Sequence, residues 1–377
     1  MGPVTWFLGC LYVWDTLPCG KLTVHISQTA KIESLLEQYD MADCNPVQNV
    51  FRTGFPINRI QPDRLKPEDK INLVKQYQSL VGGLNWLSLS THPEITTAVR
   101  LLSRHLRNPT QQHMDSAKRV LQWLKGVKTH GIRFTQGGDF AAGIASWVDR
   151  PVDITTTSAY TDANWGPQDA SHPKPNETIT QDECRSLLGH IVLRMGGPVL
   201  WDCKREPRSS RSVCQAEILS MDEGCKSTLK IRNLLEDLSM PEANKPTPLF
   251  NDNRGAVDWS SGCNISKRLR HFNIREVAVR DDVDAGDIVI QHLPGKCNIA
   301  DLFTKEINCN MLFQSHAFKL ISPREVSGEV RGLSDAEFEP PSACDGTFTR
   351  QTGTDESHVV VASKAIHSRT DDYDHNA

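Results

Sequence analysis

Near Gly131 the spacing of apolar residues changes character, and no single regular architecture accommodates both sides of that point. Before it, Tyr77, Leu80, Val81, Leu84 and Leu87 keep a helical period. Pro93 opens a second such pattern through Val99 and Leu102, and Pro109-Thr110 a third through Ala117, Val120, Leu121 and Leu124. These stripes predict a small helical unit. After Gly131, short β-rich runs alternate with turns and longer helices. Residues 159–162, 189–194 and 199–203 read as strands. A long helix over 214–238 follows, with Ile218, Met221, Cys225, Leu229, Leu234, Leu235 and Leu238 on its apolar side. Then come a strand at 247–251, a helix at 271–285, a strand at 288–293 and a short helix at 298–305. That order predicts a mixed α/β sheet domain.

The N-terminal stretch has a third pattern. An apolar run ends at Trp14, residues 15–20 carry turn chemistry, and Leu22, Val24 and Ile26 alternate, which predicts a hairpin over residues 4–27. Ser27 is placed to cap a following helix bearing Ile32, Leu35, Leu36 and Tyr39, and Asn45-Pro46 ends it. Residues 47–68 are Pro-rich and read as a connector. The run from Val4 to Trp14 lacks a basic leader and is about half the length of a membrane span, so it reads as a strand of a soluble protein. The 11 cysteines form no Cys-x-x-Cys pair and no Cys/His cluster at zinc spacing, so neither a disulfide scaffold nor a zinc site is indicated.

Charge is uneven along the 377 residues. Residues 323–377 hold 11 acids and 5 bases, which turns an overall net charge of −4 into about +2 for the first 322 residues. This tail has no hydrophobic periodicity and reads as disordered and acidic. Residues 100–133 hold eight Lys or Arg against one acid, Asp115, a basic face available to a phosphate backbone or a solvated helix face.

Both halves resemble the copia family of retrotransposon Pol polyproteins. Phe7-Leu8-Gly9, Ile26-Ser27-Gln28, Met41-Ala42-Asp43-Cys44-Asn45-Pro46 and Tyr77-Gln78-Ser79-Leu80-Val81-Gly82-Gly83-Leu84 resemble the end of its reverse transcriptase. Arg104 to Thr110, Ala117-Lys118-Arg119-Val120-Leu121 and Leu124-Lys125-Gly126 continue in the same order. The second half resembles the family's ribonuclease H domain at Tyr160-Thr161-Asp162-Ala163-Asn164-Trp165, Gly197 to Trp201, Ala216-Glu217, Asn251-Asp252-Asn253 with Ala256, Arg270-His271-Phe272-Asn273-Ile274-Arg275 and Ile299-Ala300-Asp301-Leu302-Phe303-Thr304-Lys305. The resemblance implies a reverse-transcriptase end over residues 1–66, a helical connection over 67–135, a ribonuclease H-like domain with a mixed five-stranded sheet over 136–322, and the tail beyond. It implies an intracellular setting, in a cytoplasmic virus-like particle or the nucleus. Its partners would be an RNA:DNA hybrid and the fingers and palm or other Pol products, with no membrane.

The acids support that expectation on chemical grounds. Hydrolysis of a phosphodiester by two divalent ions needs carboxylates converging from different elements, because Mg²⁺ takes oxygen ligands and only a few come from protein. Asp162 is expected at the end of the first strand, Glu217 at the start of the long helix, Asp252 at the end of the fourth strand and Asp301 opening the last short helix. These four are the expected catalytic and metal-binding residues for two Mg²⁺ or Mn²⁺ ions. Asp162 and Asp252 would be the innermost ligands, with Glu217 and Asp301 on the flanks. Arg104, Lys118, Arg119, Asn164, Asn253, Arg270 and His271 are the expected nucleic-acid contacts, and Gln215 a further polar donor. The adjacent pairs Asp222-Glu223 and Asp281-Asp282 read instead as solvated helix faces.

Departures from the family pattern open a rival reading. Where the family has Ser-Thr-Glu-Ala-Glu-Tyr, this chain has Val213-Cys214-Gln215-Ala216-Glu217-Ile218, and the stretch between Trp165 and Cys184 is long. The loop Pro294-Gly295-Lys296-Cys297 has no His, and His292 on the preceding strand reads as structural. The rival is a catalytically inactive remnant that keeps the fold and binds nucleic acid. No Tyr-x-Asp-Asp turn occurs in the sequence, so hydrolysis rather than nucleotide addition is the expected chemistry.

Overall fold

The computed structural model describes residues 2–52, 66–138, 157–166, 185–207, 209–262 and 274–324. The polar stretch over 167–182, the basic segment with Arg270 and His271, and the acidic tail from 325 onward lie outside the described residues. Everything described belongs to one unit, Met1–Arg324.

Two five-stranded sheets organise the chain. The first begins with β1 (Trp6–Phe7), β2 (Cys10–Thr16) and β3 (Leu22–Ser27), joined as the expected hairpin. Helix α1 (Thr29–Gln38) follows, but its N-cap is Gln28. Ser27 is the last residue of β3, because its backbone is still engaged in pairing with Leu11. Helices α2 (Pro67–Ser88), α3 (Thr96–Ser103) and α4 (Gln111–Gly126) carry the three predicted stripes. Tyr77, Leu80, Val99, Leu121 and Leu124 are buried in their shared core. Strand β4 (His130–Thr135) then pairs antiparallel with β3.

The second sheet contains β5 (Thr157–Asn164), β6 (Leu187–Arg194), β7 (Gly197–Arg205), β8 (Thr247–Asn251) and β9 (Ile288–His292), in the order β7-β6-β5-β8-β9. The first three strands are antiparallel, and β8 and β9 add parallel to β5. This is the expected ribonuclease H-like arrangement. The β6–β7 hairpin turns on Met195 and Gly196, both with positive φ (50° and 81°), the conformation a tight two-residue hairpin demands. Helix α5 (Val213–Asp237) packs across β5 and β6 with Ile218, Met221 and Cys225 buried. Leu234 and Leu238, expected on its apolar side, are exposed, because the helix end runs past the sheet.

Besides β4, three elements later in the chain were not in the predicted order: α6 (Arg254–Ser261), α8 (Asn310–Leu320) and β10 (Ser322–Pro323). The last returns the chain to the first sheet, where it pairs with β4. The helix expected over 271–285 is α7 (Ile274–Asp284), and the short final helix is a 3₁₀ turn over Ile299–Phe303. Among the described residues no helix is long and apolar enough to cross a membrane.

Candidate metal centre

The second sheet positions the acids by register. Tyr160 of β5 is level with Phe250 of β8 in a parallel pair, and Asp162 and Asp252 each follow that pair by two residues, Asp252 just past the end of β8. Asp162 lies inside β5, two residues before its end, rather than closing it. From above, Glu217 enters on the first turns of α5. The Ser212 hydroxyl caps that helix by accepting from the Gln215 N–H at 3.1 Å, and the Gln215 side chain accepts from the Arg211 N–H at 2.9 Å. The altered residues at 213–215 therefore still build a capped helix start.

Close packing fixes the depth at which Glu217 sits. A Cβ on Gly224 would meet Thr161 Cγ2 at 2.4 Å, so only glycine lets α5 approach β5 this closely. One turn earlier, the Ser220 hydroxyl reaches the carbonyls of Asp162 (2.6 Å) and Gly189 (2.9 Å). Ligand atoms of Asp162, Glu217 and Asp252 consequently lie within 4.8 Å of one another, the one such His, Cys, Asp or Glu group among the described residues.

Asp301 arrives on the 3₁₀ turn, which approaches β6 closely: a Cβ on Gly189 would meet Thr304 Cγ2 at 2.6 Å and Phe303 Cβ at 2.7 Å. Asp301 is outside the three-acid group but coupled to it. Its carboxyl is pushed up to about 7, first by burial and then by the Asp162 charge. Burial also raises Asp162, against the pull of Lys305 and Thr304, and Glu217 well above the usual carboxylate range, with the Asp162 charge adding to Glu217 and the Asp252 charge to both. Asp162 and Glu217 are almost wholly buried, and Asp252 is the half-buried member that opens the centre toward solvent.

Four residues hold these acids that sequence reasoning gave no role. The Lys305 ammonium donates to Asp162 Oδ1 (3.1 Å) and Asp301 Oδ1 (2.6 Å). The Thr304 hydroxyl donates to Asp162 Oδ2. Asn251 donates through Nδ2 to Glu217 Oε2 at 3.0 Å. Asn298 donates to the Thr161 carbonyl at 3.0 Å and so ties the 3₁₀ turn to β5. The signal available beforehand was position alone: Asn251 precedes Asp252, and Thr304-Lys305 follow Asp301 by one turn.

The expected nucleic-acid contacts scatter. Asn164 donates to the Thr304 carbonyl at 3.3 Å, and Asn253 caps α6 by accepting from Ala256 N–H, so both lie beside the acids with part of their polar capacity used. Arg104 is exposed just past α3, with Arg100 and Arg107 exposed nearby. Lys118 is half-buried on α4, whereas Arg119 turns its guanidinium onto the Phe51 carbonyl. Lys125 and Arg133 donate to the carbonyls of Cys44 and Pro323, and Lys128 pairs with Glu33. Half of the basic stretch is thus spent inside the fold.

Two other expectations change or gain detail. Asp222 and Glu223 do not form a solvated face. Both are buried: Asp222 pairs with Lys226 of the same helix beside Asp282 of α7, and Glu223 pairs with Lys204 of β7. Asp281 is exposed as expected, and Asp282 is half-buried. His292 points its Nε2 at the Asp252 carbonyl (3.2 Å).

All-oxygen ligands, three of them converging and two buried with raised pKa, fit a hard divalent cation such as Mg²⁺ or Mn²⁺. No protein-family model matches the sequence. The chain is 26% identical over 297 residues to the Retrovirus-related Pol polyprotein from transposon RE1 of Arabidopsis thaliana, covering 79% of this chain and 18% of that protein. It is 24% identical over 312 residues to the Retrovirus-related Pol polyprotein from transposon TNT 1-94 of Nicotiana tabacum, covering 82% and 21%. The chain therefore spans about a fifth of the length of these relatives. Among solved structures, RNase H1 from Halobacterium salinarum aligns at 17% identity over 39% of this chain and 93% of its own, with a TM-score of 0.27.

Proposed function

We propose that this distant homologue of copia-type Pol polyproteins is a divalent-metal-dependent ribonuclease that cleaves the RNA strand of RNA:DNA hybrids. The observation that carries the reading is the convergence of Asp162 from inside β5, Asp252 from just past β8 and Glu217 from the start of α5. With Asp301 they are the residues that would hold Mg²⁺ or Mn²⁺. Ions bound there would activate a water and stabilise charge on the phosphate oxygens.

The chain's own residues do the positioning. Asn251 orients Glu217, and Thr304 with Lys305 fixes both oxygens of Asp162. Asp252, the most accessible acid, faces the side from which a phosphodiester would enter. The duplex would be held by Arg104 and Lys118 of the helical part, by Asn164 and Asn253 beside the acids, and by Arg270 and His271. Discrimination of the RNA strand rests on its 2′-hydroxyls in the wide, shallow minor groove.

Matched RNA:DNA hybrid, double-stranded DNA and double-stranded RNA with and without Mg²⁺ test this reading. Cleavage of the hybrid alone, dependent on the ion, is expected. Equal cutting of double-stranded DNA sinks the assignment. A second reading, an inactive remnant that binds without turnover, draws on the His-free loop 294–297 beside Asp252, and binding of hybrid with no cutting selects it.

A further inference from the structure

Lys305 is placed unlike an ordinary surface lysine. Its Nζ bridges a nearly wholly buried carboxylate 143 positions away, Asp162, and a second, Asp301, one helical turn before it. Ligand atoms of Asp162, Glu217 and Asp252 approach one another, while Asp301 stands outside that group with its oxygen on the ammonium. The four acids thus divide into a converging trio and a pair already bridged by a cation.

We infer that the Lys305 ammonium occupies the second cation position of the centre, so that the protein takes one divalent ion on Asp162, Glu217 and Asp252. A second ion, on Asp162 and Asp301, enters only when Lys305 swings out. This rests on the proposed metal centre. The charges argue for it: four carboxylates, one divalent ion and one ammonium leave a single negative charge, whereas a second divalent ion beside the ammonium would bring three cations into one pocket. A tethered ammonium is also present at high effective concentration, so it competes without cost from dilution. Its side chain is 39% exposed, which leaves a path outward.

Counting bound Mn²⁺ on the full chain, by titration with electron paramagnetic resonance of the free ion, tests the inference. One tightly held ion is expected for the native protein and for Lys305→Arg. Lys305→Met should hold two, its second ion tightening by about tenfold or more, the scale of one partly screened unit charge. Adding Asp301→Asn to Lys305→Met should return the count to one. Because Lys305→Met removes the counter-charge of the buried Asp162, its thermal midpoint should fall without Mn²⁺ and recover with it. Asp301→Asn alone, which removes no counter-charge, should keep the tight ion. Two equally tight ions in the native protein, or one unchanged ion in Lys305→Met, overturns the role of Lys305 while leaving the metal centre standing. No bound ion in any variant overturns both.

Discussion

Asp252 differs from its neighbours in being half-buried and in lacking, among the described residues, a side-chain donor of the kind that Thr304, Lys305 and Asn251 supply to Asp162 and Glu217. Its charge therefore repels two buried acids with little local compensation. Asp252→Asn should abolish Mg²⁺-dependent cleavage and leave the metal-free protein as stable or up to about 1 kcal/mol more stable, read by urea unfolding. Retained cleavage would remove Asp252 from the centre. Asn251 shows the converse. Asn251→Ala leaves Glu217 Oε2 without its amide donor and the Thr161 carbonyl with Asn298 alone, so a loss of about 1–3 kcal/mol is expected together with a fall of about 10–100-fold in ion affinity. Unaltered Mn²⁺ binding in a folded Asn251→Ala protein would mean that Glu217 needs no such orientation. The four acids were legible as residues because each sits in a motif at a predicted strand end or helix start. Lys305, Thr304 and Asn251 were not, since a polar side chain's role depends on a partner that may be 143 positions away.

Elements were legible where their hydrophobic period was long. Strand β8 falls at its predicted residues and α5 within one residue of them, whereas α6, at 8 residues, is too short for a stripe to declare itself. Close approach between elements was equally hidden, although it sets the site. Gly224→Ala would put a methyl 2.4 Å from Thr161 Cγ2 and lift α5 off β5. A cost of about 1–3 kcal/mol is expected, with weaker Mn²⁺ binding because Glu217 moves with the helix; a stable variant with native ion affinity would contradict this account of α5. The basic stretch belongs to this scale too. Arg119, Lys125, Lys128 and Arg133 are committed to partners within the fold, so the eight cations counted along the sequence do not form one face. Replacing Arg104 and Lys118 together should flatten the salt dependence of hybrid binding by about two units, one per phosphate contact, and an unchanged slope would move the duplex elsewhere.

At the scale of the molecule, the sheet carrying the acids and helices α1–α4 share one core. It runs from Ile32 and Phe51 through Trp123 to Phe303, Phe313 and Ile321. Asn49 donates to the Ile307 carbonyl at 2.7 Å, and β10 pairs with β4, so the last described residues close the first sheet. The break in hydrophobic period near Gly131 marked a change of element type without revealing this shared core, because such contacts leave no periodic trace. The buried His190 and His316 and the half-buried His130 are each pushed down to about 4, first by burial. In the unfolded chain a histidine titrates near about 6.5. The folded state therefore binds fewer protons between those values, and the stability these residues confer is complete above about 6.5 and lost as pH falls toward 4. Asp301 works in the opposite direction, since its raised pKa makes the metal-free protein gain stability as pH falls from about 7. A single variant separates the two. Both ring nitrogens of His316 are buried without a hydrogen-bond partner, so His316→Leu removes a titrating group without orphaning a polar atom. Urea unfolding at pH 7 and pH 4.5 should show the native protein losing about 2 kcal/mol more than His316→Leu between the two pH values. Equal losses would mean that His316 takes up its proton in the folded protein, and that the core around α8 opens to water at acid pH.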